Sequence, residues 1–116
     1  MVGKGGLMKK SLSLFFFFLL IPAVLWAGEI YGSIREGGRA IGPGVRIEVL
    51  FSGKTYATQT DPYGSYRIYI PGKGRGMLKV YYGGQPATLV VFSYDRSVRY
   101  DLFLKKQGGR YSLRRE

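Results

Sequence analysis

The 116-residue chain contains no cysteine, no histidine and no asparagine. Those absences exclude disulfides, thiol nucleophiles, imidazole acid–base chemistry, Cys or His metal ligands and N-glycosylation acceptors. Acid is scarce as well: seven Asp and Glu stand against 18 Lys and Arg, a net charge of +11. A surplus of that size favours anionic partners without choosing among nucleic acid, lipid, glycan and acidic protein. The length allows one small domain and no second core. This composition suits a binding or scaffolding role better than catalysis, and no cofactor is expected.

What the chain does have, first, is an apolar run. Lys4, Lys9 and Lys10 precede Leu12–Ala27, which is interrupted only by Ser13 and Pro22. A basic start, a short apolar stretch and a small closing residue describe a secretory signal peptide. Sixteen residues broken by a proline fall short of the ~20 that a bilayer span needs. Cleavage is expected between Ala27 and Gly28, leaving a product with no membrane span, and Met8-Lys9-Lys10 reads as an alternative start. A lipoprotein would need a Cys at the cut, so the expected compartment is the periplasm or the extracellular space.

Residues 28–116 keep all ten tyrosines, 15 of the 18 glycines and a charge of +8 from 15 basic and 7 acidic side chains. Short β-rich runs alternate with Gly, Pro and Asp turns, which predicts an all-β sandwich. Strands are expected over Glu29–Arg35, Val45–Phe51, Thr55–Thr60, Tyr66–Ile70, Leu78–Tyr82, Ala87–Phe92 and Val98–Leu104. In the second, Val45, Ile47, Val49 and Phe51 face one way and Arg46 and Glu48 the other, a period of two. The same alternation points Tyr66, Ile68 and Ile70 inward, then Leu78, Val80 and Tyr82, then Val98, Tyr100, Leu102 and Leu104. Asp61-Pro62-Tyr63-Gly64 is a strong turn: Asp hydrogen-bonds the backbone ahead, Pro sets φ, and Gly accepts positive φ. The tail from Lys105 to Glu116 holds five basic residues and one acid, with Gly108-Gly109 read as a hinge. Residues 107–116 are therefore expected to be a basic flexible tail.

The order of these pieces resembles the carboxypeptidase regulatory-like domain, a transthyretin-like, Ig-like β-sandwich. The resemblance rests on Tyr31-Gly32-Ser33-Ile34, Glu36-Gly37-Gly38, Gly44–Val49, Pro71–Gly74 and Leu102-Phe103-Leu104, and above all on Thr60–Tyr66. It covers about residues 29–106, so 28–106 is taken as the domain behind a leader at 1–27. It implies a seven-stranded antiparallel sandwich without enzymatic activity. It also implies structural duties for Asp61, Gly64 and Tyr66: turn initiation, positive φ, and core filling by a ring whose hydroxyl needs a partner. The hydroxyisourate hydrolases of the transthyretin-like family work through histidines that this chain lacks.

Motifs that could carry chemistry dissolve on inspection. Ser52 and Lys54 are turn neighbours rather than a nucleophile and its base. Gly53-Lys54-Thr55 lacks the first glycine of a phosphate loop, because Glu48 stands in its place. Gly72–Gly76 lies between two strands with no helix N-terminus to supply donors. Carboxylates do not cluster, so no metal site is expected.

Two candidate binding features remain. Arg67, Tyr69, Lys79 and Tyr81 fall at outward positions of consecutive strands, a basic–aromatic set suited to sugar rings or an acidic partner, against the plainer reading of a solvated β-face. Arg110, Arg114 and Arg115 arm the tail. The leading expectation is an adaptor that docks on another exported or envelope protein through strand edges or the tail. The alternative is a carbohydrate- or anionic-surface-binding module; the leader argues against nucleic acid. Because Trp26 is the only tryptophan, the exported product should emit as a tyrosine-only protein, with intact mass placing the cut. A product retaining Met8–Ala27 would refute the leader.

Overall fold

The computed structural model describes residues 28–116; the expected leader and its expected cleavage site fall outside them. Ten strands follow one another: β1 Gly28–Glu36, β2 Arg39–Ala40, β3 Arg46–Phe51, β4 Lys54–Gln59, β5 Ser65–Ile70, β6 Gly74–Tyr81, β7 Ala87–Ser93, β8 Ser97–Arg99, β9 Leu102–Gln107 and β10 Arg110–Arg115. They form two sheets, and no helix occurs among the described residues. β4, β3, β6 and β7 make the smaller one. In the larger, β1 is central, with β5 and β2 along one side and β8 and β9 along the other, and β10 beyond β9.

The alternation read in the sequence becomes the core. Ile30 and Ile34 from β1, Ile68 and Ile70 from β5 and Leu102 and Leu104 from β9 are buried against Ile47, Val49, Leu78, Val80 and Val91 of the smaller sheet. Each strand thus presents one apolar row to the facing sheet.

Two expectations about topology need correction. The strands number ten rather than seven, because β2 and β10 are added and the run Val98–Leu104 is cut into β8 and β9. The sheet is also not wholly antiparallel: β1 runs parallel to both β8 and β9. The cut lies at Tyr100-Asp101, opposite Gly32, where a side chain on residue 32 would run into the Tyr100 carbonyl. There the chain kinks, so Tyr100 hydrogen-bonds across to Tyr31 (N to O, 2.7 Å) before pairing resumes.

A third correction concerns the tail. Residues 110–115 are a strand, paired antiparallel to β9 from Gln107↔Arg110 to Leu102↔Arg115. Gly108 and Gly109, at φ 57° and 84°, form the two-residue hairpin turn whose twist matches the flanking strands, not a hinge. Leu113 lies opposite Leu104 and is buried in the core. Arg115 lies over Tyr100, its guanidinium 4.1 Å from the ring centroid and Nη2 donating to the Arg99 carbonyl at 2.7 Å.

The Thr60–Tyr66 segment fastens the two sheets at one end. The buried Thr60 hydroxyl donates to the Gly42 carbonyl (2.8 Å) and accepts from the Val45 amide (3.0 Å). Asp61 Oδ1 accepts from the amides of Tyr63 and Ser65, both at 2.9 Å. Gly64 has φ 73°, and a Cβ there would sit 2.9 Å from the Ile34 carbonyl oxygen. Gly64→Val therefore adds strain to collision and should cost at least about 1–3 kcal/mol. Leu113→Ala should cost ~2–5 kcal/mol. Truncation after Lys106 should lower Tm sharply, since each kcal/mol is worth about 4–8 °C in a domain this small. Denaturant and thermal melts check all three; a truncated chain with unchanged Tm would refute the role of β10.

Candidate functional site

The expected face of Arg67, Tyr69, Lys79 and Tyr81 does not exist as one surface. β5 belongs to the larger sheet and β6 to the smaller, because the chain crosses between sheets at Pro71–Lys73. The two pairs point outward from different sheets. On the smaller sheet the Tyr81 hydroxyl donates to Glu48 at 2.7 Å, and Arg46 Nε donates to the same carboxylate at 2.8 Å. Those bonds hold the Glu48 carboxyl below the usual carboxylate range, Tyr81 contributing first, and the shared proton pushes the Tyr81 phenol up. With Lys79 opposite Glu48 in register, this is a compact charge cluster that satisfies itself.

Of the tail arginines, Arg115 is committed to Tyr100, as described above. Arg110 borders a groove of about 310 Å³ between β10 and the start of β7. Arg114 is exposed and stands opposite Phe103, on the outer face of the larger sheet.

That outer face holds the best-built candidate site. Register places Arg67, Tyr31 and Arg99 side by side on β5, β1 and β8. The neighbouring row is Tyr69, Glu29 and Ser97. On the other flank Ser65 pairs with Ser33, and further along Arg35, Phe103 and Arg114 form a third basic–aromatic row. The acids act as tethers. Glu29 Oε2 lies 3.2 Å from Arg67 Nε, and Glu29 Oε1 accepts from Ser97 Oγ at 3.1 Å. Asp101 Oδ2 accepts from Arg99 Nε at 2.8 Å, while Oδ1 accepts from the Ser33 amide at 3.0 Å. Both guanidiniums are anchored at Nε, yet their side chains stay 61% and 64% exposed. Each keeps further N–H donors in a fixed planar fork.

Beside this row lies a cleft of about 460 Å³. Tyr31, Ser33, Ser65, Arg67 and Arg99 form one wall; Thr58 and Gln59 at the edge of β4, with Asp61, form the other. Its lining therefore combines hydroxyls, an amide, a carboxylate, two guanidiniums and an aromatic ring. No three acidic side chains among the described residues come together to hold a metal ion.

Tyr66 sits at the base of the cleft, buried, its hydroxyl donating to the Tyr100 carbonyl at 2.7 Å. Sequence reasoning named Arg67 and Tyr69 but missed Tyr31 and Arg99. Both lie at outward positions of alternating strands, and only the parallel pairing of β8 with β1 sets them in one row. A search for basic and aromatic residues at all outward positions would have found them without assembling them.

No protein-family model matches the chain, and no curated protein is similar to it. Among solved structures the chain is similar to a candidate carbohydrate binding protein from Bacteroides uniformis, at 19% identity and a TM-score of 0.49. The match covers 76% of this chain and 53% of that one, so the chain spans about half of that structure's length.

Burial, reinforced by Asp101 and Tyr100, pushes the Tyr66 phenol far above its ordinary value of about 10. A raised folded value means stability that is present below the unfolded value and is lost as pH rises past it. Phenolate absorbance should therefore show Tyr66 ionising only as the fold is lost above pH ~10, and Tyr66→Phe should remove that component. At neutral pH the same variant should cost about 0.5–1.5 kcal/mol in denaturant melts.

Proposed function

We propose that this protein is a non-enzymatic carbohydrate-binding module that takes an acidic glycan on the outer face of its larger sheet. In this reading it works in the periplasm or outside the cell, and its sandwich is of the transthyretin-like, carboxypeptidase regulatory-like type. The observation that carries the reading is the row Arg67–Tyr31–Arg99 beside a hydroxyl- and amide-lined cleft. Guanidinium forks match carboxylate or sulfate groups in two-point contacts. A tyrosine ring between them offers a flat apolar surface to the C–H face of a sugar, and Ser33, Ser65, Thr58 and Gln59 supply partners for its hydroxyls. Tethering by Glu29 and Asp101 orients the arginines beforehand, which lowers the entropy lost on binding.

The rival reading, an adaptor docking on an exported or envelope protein, loses its flexible-tail argument, since residues 110–115 are a paired strand. It keeps one observation in its favour: β10 and β7 each pair on one side only, and the groove at Arg110 lies between them.

Calorimetric titration with uronate-containing oligosaccharides and their neutral counterparts tests the proposal. The acidic sugars should bind and the neutral ones only weakly. Arg67→Gln with Arg99→Gln should reduce affinity by at least about ten-fold, and Tyr31→Ala should do likewise, while Lys79→Gln should leave it unchanged. Salt should weaken binding without abolishing it. Equal loss with Lys79→Gln, or no binding to any acidic sugar, would overturn the proposal.

A further inference from the structure

The smaller sheet carries a second surface of different chemistry. Register sets Leu50, Met77 and Val90 in one row across β3, β6 and β7, with Arg75 and Phe92 paired in the next row toward the end of the sheet. All of these point away from the core, since their chain neighbours Val49, Phe51, Leu78 and Val91 are buried. Leu50 is 44% exposed, Phe92 45% and nearby Tyr94 40%. Exposed single apolar residues are ordinary, whereas a connected row of them on one face is not.

The end of the sandwich beside this row is basic. The turn at Gly72 is hydrogen-bonded to Ser93 (2.7 Å), which brings Lys73 and Arg75 beside Tyr94 and Arg96. Arg96 lies 5.4 Å from the Tyr94 ring centroid. The acid in this group, Asp95, is engaged by Lys73 at 3.5 Å. None of these residues lines the three clefts of the molecule described here. Gly28 packs against the Tyr94 carbonyl at this same end.

We propose that this end of the sandwich, through Leu50, Phe92 and Tyr94 with Lys73, Arg75 and Arg96 beside them, docks on an anionic lipid bilayer surface. Aromatic and aliphatic side chains sit in the interface between headgroups and chains, while cations reach the lipid phosphates and long basic stems cover apolar surface on the way. A second copy of this chain would bring like charges together. This docking is independent of the glycan reading, which uses the outer face of the larger sheet and the edge of β4.

The exported chain, its N-terminus established by intact mass, provides a clean reporter once Trp26 has gone. Phe92→Trp then carries the sole tryptophan. Adding equimolar phosphatidylglycerol/phosphatidylcholine vesicles should shift its emission to the blue, and brominated lipid should quench it. Pure phosphatidylcholine vesicles should do neither. Tyr63→Trp, in the exposed Asp61–Gly64 turn at the other end of β5, should respond to neither. In sedimentation with the same vesicles, Leu50→Ser with Phe92→Ser should weaken binding by at least about ten-fold, and salt at about 0.5 M should release the protein. Melts confirm that each variant is folded, and Leu50→Trp serves if Phe92→Trp is not. No shift on the anionic vesicles, an equal shift on phosphatidylcholine, or an equal shift at position 63 would overturn the proposal. A shift on soluble polyglutamate but not on vesicles would also overturn it and make the occupant an acidic protein. The glycan titration above reads a different surface, so either proposal can fail alone.

Discussion

Tyr100 holds the two sheets to one another. It stands in the gap between β8 and β9, where its amide donates to the Tyr31 carbonyl and its own carbonyl accepts the buried Tyr66 hydroxyl. Its phenolic oxygen accepts from the Phe92 amide of the smaller sheet at 3.0 Å, and its ring lies under the Arg115 guanidinium. One residue thus links the central strand, the edge strand β5, the C-terminal strand and the opposite sheet. A buried polar group left without a partner costs as much as several good contacts contribute. No buried side-chain nitrogen or oxygen among the described residues lacks a partner.

The candidate site depends on this knot. Asp101, next to Tyr100, is the residue that anchors Arg99 and Ser33, so the kink at Tyr100 also sets the position of the arginine row. Tyr66, under the cleft, is held by the Tyr100 carbonyl. Stability and the binding surface are therefore built from the same few residues, and a change at position 100 or 101 would alter both.

Charge is distributed with similar economy. Among the described residues, Glu29, Glu36, Glu48, Asp61, Asp95 and Asp101 are each engaged by a nearby donor or cation. The acids serve as local fasteners, and the positive surplus is left to the surface. Two of its groups differ in character: one lies among hydroxyls and tyrosines on the larger sheet, the other beside an apolar row at the end of the smaller one. The first suits a polar, hydrogen-bonding ligand and the second an interface.

The sequence by itself determined the all-β class and the inward rows, because a side-chain period of two on either side of Gly and Pro turns has one physical meaning. Ile47, Val49, Ile68, Ile70, Leu78, Val80, Leu102 and Leu104 could be placed in the core from alternation alone. Only the tertiary structure decided which strands share a sheet. Nothing local in Pro71–Lys73 says that the chain leaves one sheet for the other, and that crossing separated Arg67 and Tyr69 from Lys79 and Tyr81. Gly108-Gly109 is equally suited to a hinge and to a tight hairpin turn. Residues 110–115 offer just one buried apolar side chain, Leu113, too weak a pattern to choose between them. The choice came from β9, whose open edge accepts β10 and whose neighbour Tyr100 gives Arg115 a ring to cover. The row of Arg67, Tyr31 and Arg99 likewise exists because β8 runs parallel to β1, a long-range pairing that no short stretch of sequence encodes.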